Sequence, residues 1–67
     1  MNFPTKLLRY LEKKNISDSA FGRSIYKTPA MIGRYKRGLS VPGFQTALMI
    51  YQVTEGYFSM KEMGYDI

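Results

Sequence analysis

The chain has 67 residues, with ten Lys or Arg against five Asp or Glu, and it contains neither cysteine nor histidine. That length sets a single domain near the lower limit of folding without a staple. The two missing residue types exclude a disulfide framework, thiolate metal ligation, the usual zinc ligands and the usual general base.

Phe3, Leu7, Leu8 and Leu11 recur at helical spacing with charges between them, so the pattern predicts an amphipathic helix over 3–14. Asn2 or Phe3 would cap it, with Pro4 in the first turn, and Lys13 and Lys14 suit its negative end. Ser17 is a good N-cap for a short second helix over about 18–25, in which Phe21 and Ile25 share a face and Asp18 adds an acid to the first turn. Thr28-Pro29 restarts the chain, since threonine caps and proline is favoured at the first helical position. A third helix then runs to about Arg37 and stops at Gly38, a natural left-handed terminator. Pro42 and Gly43 mark a loop. A fourth helix follows from Phe44 to near Thr54, and Ser59 caps a last short turn ended by Gly64. The expected fold is all-α: a compact bundle of about five short helices in one domain, 1–67.

Charge is distributed unevenly along this bundle. Nine bases precede Ser40 against Glu12 and Asp18, whereas after it Lys61 faces Glu55, Glu62 and Asp66. The net charge of +5 therefore belongs to the first two-thirds, which favours a polyanionic partner. The longest uncharged run, 38–54, is interrupted by Ser40, Pro42, Gly43, Gln45 and Gln52, so it reads as a core segment and not a membrane span. The start of the chain lacks a secretory pattern, and the absence of cysteine suits a reducing cytoplasm.

Two short helices joined by a turn of about three residues match the geometry of a helix-turn-helix. Gly22 would let the second helix be closely approached, Ile25 and Ile32 would pack across the elbow, and Tyr35 would extend the stripe. Phe21, Leu48 and Tyr51 complete the expected core. Lys27, Ala30, Arg34 and Arg37 would face outward.

In this arrangement the stretch "ISDSAFGRSIYKTPAMIGRYKRGLSVP" resembles the Cro/cI-type helix-turn-helix family of phage and bacterial regulators. It continues into "FQTALMIYQVTEGYFSMKEMGY", similar to the helix and T-x-G segment of small Cro-like proteins, so the resemblance spans about Ile16 to Tyr65. Two departures from the family pattern stand out. Tyr26 and Lys27 stand where a glycine and an apolar residue are common in the turn, and Asp18 stands where Gln often reaches a phosphate.

The resemblance implies double-stranded DNA as the partner, read by the helix over 28–37. Base contacts would come from Thr28, Pro29, Ala30 and Arg34, the guanidinium of Arg34 fitting guanine O6 and N7. Thr28 could equally serve only as a cap, and Met31 fits either core or groove. Arg23, Lys27, Lys36, Arg37 and Ser40 are the candidate phosphate ligands. The segment 55–67 reads as a dimerisation tail through Tyr57, Phe58, Met60 and Met63, because so small a monomer would struggle to bury them along with Tyr65 and Ile67.

The leading expectation is a dimeric Cro-like repressor on a palindromic operator, in a bacterial cytoplasm and of phage or prophage origin. The competing expectation is a small protein-interaction module, an antirepressor that uses the same fold to sequester a regulator. Neither reading calls for a metal, a cofactor or a small-molecule substrate. An enzyme is not expected, because the few acids form no paired constellation.

Overall fold

A computed structural model of the protein describes residues 2–66. Four α-helices form: α1 Phe3–Lys14, α2 Asp18–Ser24, α3 Pro29–Lys36 and α4 Phe44–Val53. A single 3-10 turn at Lys61–Met63 stands where the sequence suggests a fifth helix. No strand forms among the described residues, and no helix is long and apolar enough to cross a membrane.

The first three helices begin where a side chain satisfies an otherwise free N–H, whereas α4 starts after Gly43 without a side-chain cap. The Asn2 side-chain oxygen accepts from Thr5 N–H at 3.1 Å, Ser17 Oγ from Ala20 N–H at 3.0 Å, and Thr28 Oγ1 from Met31 N–H at 3.2 Å. Asn15 (φ 57°) ends α1 in the left-handed region, and Gly38 (φ 73°) turns the chain away after α3.

The core is one cluster drawn from every element. Phe3, Leu7 and Leu11 of α1 meet Phe21 and Ile25, Ile32 and Tyr35 of α3, and Ala47 and Ile50 of α4. Two expected core positions lie elsewhere: Leu8 and Tyr51 are exposed, the latter at 43%. A helix over so small a core buries a narrow stripe, and both residues fall at its edge.

The C-terminal segment overturns its sequence reading. Phe58 is completely buried, and Met60 and Met63 are buried with it, so these three complete the interior of a single chain and are not available to a partner. Phe58 sits edge-on to Phe3 at 5.4 Å and to Tyr10 at 5.3 Å. Of the four expected interface residues Tyr57 alone is exposed. Ile67 lies outside the described residues. The physical reason is size: a domain this short needs its last apolar side chains for its own core.

Lys6 of α1 holds this segment down. Its ammonium lies 2.7 Å from Glu62 Oε2, donates to the Tyr57 carbonyl at 3.0 Å, and sits 4.5 Å over the Tyr57 ring. Glu62 in turn closes a reciprocal cap, accepting from Ser59 N–H at 2.8 Å while its own N–H donates to Ser59 Oγ at 3.2 Å. Burial pushes the Glu62 carboxyl up, but hydrogen bonds from Lys6 and Ser59, with the charge of Lys6, outweigh it and hold the group below its ordinary value.

The unfolded chain therefore binds this proton more tightly than the folded one. The stabilisation is fully present above the ordinary glutamate pKa and is lost as pH falls through the lower folded value. Thermal melts from about pH 6 down to about pH 3 should show Glu62→Gln with a flatter acid limb than the parent. Superimposable limbs would mean that the clamp does not couple to folding.

Candidate nucleic-acid interface

The second and third helices are locked together at Gly22. Its carbonyl accepts from Lys27 N–H at 2.7 Å, across the turn, and from Ile25 N–H at 3.1 Å. A Cβ built on Gly22 would lie 2.4 Å from the Lys27 carbonyl oxygen and 3.3 Å from Ile32 Cγ1. Only a glycine lets the turn pass this close, and the closeness sets how α3 leaves α2. Tyr26 occupies the tip of the turn in the left-handed region, with φ 59°, and is 84% exposed. The departure from glycine at this position is thus accommodated with the same backbone sign and a strained residue.

Ile32 and Tyr35 anchor α3 from below, both almost wholly buried. Burial, reinforced by the nearby Tyr65, raises the Tyr35 phenol above its ordinary value. With that side fixed, the helical repeat turns Ala30, Gly33, Arg34 and Arg37 to the other. Thr28, Pro29, Ala30, Arg34 and Arg37 are all exposed, as are Arg23 and Lys27 just before them. Met31 is half-buried against the core. No acid occurs between Asp18 and Glu55, so this face is cationic without local compensation from its own sequence neighbours.

Arg34 is held in place. Its Nε donates to Ser40 Oγ at 2.8 Å and its Nη2 to the Leu39 carbonyl at 3.3 Å. A guanidinium carries five N–H donors, so this grip leaves three for a ligand while limiting how the plane can turn. Ser40, expected as a phosphate ligand, instead accepts from Arg34, and its hydroxyl proton stays available to a neighbour. Arg37 Nε donates to the Gly33 carbonyl at 3.2 Å, which lays that side chain back along its own helix.

Lys36 departs from the sequence reading. Its ammonium pairs with Asp18 Oδ1 at 2.7 Å, tying the end of α3 to the start of α2. The same pair explains Asp18, which stands where a phosphate donor was expected: it is half-buried and neutralises Lys36. A phosphate at this point would compete with Asp18 for Lys36, a partly exposed and therefore weak pair.

Sequence reasoning overlooked two features of this face. Gly33 lies three residues after Ala30 and four before Arg37, so spacing alone could have placed it outward. A Cβ there would meet nothing nearer than Arg37 Nη2 at 3.9 Å. The Leu39 carbonyl, by contrast, left no sequence signal, because a backbone acceptor is visible only once the loop is folded. The chain matches no model of a known protein family, no curated protein and no solved structure.

Proposed function

We propose that the protein is a sequence-specific double-stranded DNA-binding regulator, with α2, the turn and α3 acting as a helix-turn-helix. The observation that carries this reading is the outward face of α3, where an immobilised Arg34 stands among small side chains and free cations. In the reading, α3 enters the major groove from its N-terminal end, where Thr28, Pro29 and Ala30 approach the base edges. Arg34 pairs with a guanine, and Arg23, Lys27 and Arg37 hold phosphates. Thr28 already accepts from Met31 N–H, which supports its capping role and leaves its hydroxyl proton for DNA. Binding as a homodimer to a palindromic operator in the bacterial cytoplasm, with repression by occupancy, completes the proposal.

Titration of duplex binding against salt tests it. Three phosphate ligands in each of two subunits give about six counterions released, so affinity should fall about a thousandfold between about 50 and about 200 mM monovalent salt. A flat salt profile, or no duplex binding at low salt, would reject the DNA reading and favour the antirepressor class.

A further inference from the structure

Arg9 and Lys13 stand one turn apart on the same side of α1, at positions i and i+4, and Lys14 follows them. They form one wall of an open groove of about 430 Å³, whose other wall is the end of α4 and the chain just beyond it, with Val53, Glu55 and Tyr57. No residue of α2 or α3 lines this groove, so it is separate from the cationic face of α3.

Three observations mark it as a ligand site. The first is charge without partners. Among the described residues the ion pairs are Lys6 with Glu62 and Lys36 with Asp18, and neither uses a cation of this wall or Glu55. Lys14 makes only a distant contact, 6.0 Å from the centre of the Tyr10 ring. Opposite charges that line one groove without meeting leave a gap, which a molecule with an anion at one end and donors at the other can span. The second is the local cost of Glu55. It adopts φ 54° just after α4, where glycine is favoured, and it places a carboxylate at the negative end of a helix whose last turn has no base. A residue unfavourable on both counts is characteristic of a site and not of a scaffold. The third is a preformed wall. Lys6, already engaged with Glu62 and the Tyr57 carbonyl, also lies over the Tyr57 ring, which packs against Tyr10 at 5.0 Å. Tyr57 is thereby fixed while 50% exposed, and Val53 is 44% exposed, so a ligand meets apolar surface that needs no reordering.

We propose that this groove binds a nucleoside phosphate. Arg9 and Lys13, with Lys14 at their flank, hold the phosphate, Glu55 accepts from the sugar hydroxyls, and the base lies on Val53 and the open side of Tyr57. Three cations against one acid select a multiply charged anion over a zwitterion such as an amino acid. The volume falls within the roughly 300–1,000 Å³ of small-molecule sites and is more than a lone phosphate fills.

Isothermal titration calorimetry at about 150 mM salt, with ATP, GTP, CTP and UTP as separate probes, should show a single site per chain for at least one of them. Arg9→Ala and Lys13→Ala should each weaken it about tenfold, as should the dideoxy form of the same nucleotide, and inorganic triphosphate should bind at least about tenfold more weakly than the nucleotide. Arg34→Ala should leave the affinity unchanged. Glu55→Gly should do two opposite things: raise the melting temperature, by relieving the left-handed backbone, and weaken the nucleotide about tenfold. A merely structural Glu55 would move only the first.

A folded parent that binds none of the four nucleotides would overturn the proposal, and duplex affinity lost with Arg9 and Lys13 in that case would assign them to a nucleic-acid backbone. So would nucleotide binding that survives Arg9→Ala and Lys13→Ala, or inorganic triphosphate that matches the nucleotide and is indifferent to Glu55→Gly. The expected dependences in a protein that binds no duplex would uphold the groove and reject the DNA reading.

Discussion

Gly22→Ala should destabilise the protein by about 3 kcal/mol or more, at or above the upper end of ordinary overpacking costs. The new methyl group would lie 2.4 Å from the Lys27 carbonyl, and the obstruction is backbone, which cannot rotate aside as a side-chain tip can. Relief requires α3 to move away from α2, which also stretches the 2.7 Å hydrogen bond from Lys27 N–H to the Gly22 carbonyl. A domain of this size has about 3–10 kcal/mol in total, so the variant should be largely unfolded or melt more than about 10 °C lower. Gly33→Ala provides the contrast. It lies inside α3 with open space around a Cβ, so the same change should stabilise the fold by about 0.5–1 kcal/mol. Thermal denaturation of the two variants checks both signs, and equal midpoints would mean that the α2–α3 approach is looser than the structure has it.

Arg34→Ala should cost about 1–3 kcal/mol on the preferred duplex and relax preference at one base pair in each half-site. Arg34→Lys should recover little of this, because an ammonium cannot present two parallel donors to guanine. Ser40→Ala should be milder than either: it removes the acceptor 2.8 Å from Arg34 Nε and leaves the guanidinium charged but freer to turn. Arg37→Ala should behave differently, weakening all sequences alike and lowering the salt slope by about one per altered contact. Selection from random duplexes, followed by titration of parent and variants on the selected and scrambled sites, separates these outcomes. If Arg34→Ala weakens every sequence equally, Arg34 holds phosphate and does not read a base.

Much of the α2–α3 unit was legible before folding because its determinants are local. A Thr28 cap followed by Pro29 specifies a helix start from neighbouring atoms alone, and the structure places α3 there. Gly22 was equally readable, because a tight elbow needs an absent side chain; the conformation of Tyr26, a departure from the usual glycine, was not, and its φ of 59° is seen only in the folded turn. The face of α3 followed from helical spacing once Ile32 and Tyr35 were assigned to the interior.

What pairs with what was not local, and there the sequence reading went astray. Lys36 and Arg37 are adjacent and chemically alike, yet one is consumed by Asp18, eighteen positions earlier, and the other faces outward. Lys6 and Glu62 meet across fifty-six positions to press the C-terminal segment onto α1, which turned an expected dimer contact into core. Apolar residues occur on α4 and in the tail alike, so hydrophobicity could not say which of them lie inside. The sequence by itself determined the helices, their caps and the sign of the charge, because these depend on residues within a few positions of each other. Only the tertiary structure decided which cations are paired and which apolar side chains lie inside, because both depend on contacts among groups distant in sequence around one small core.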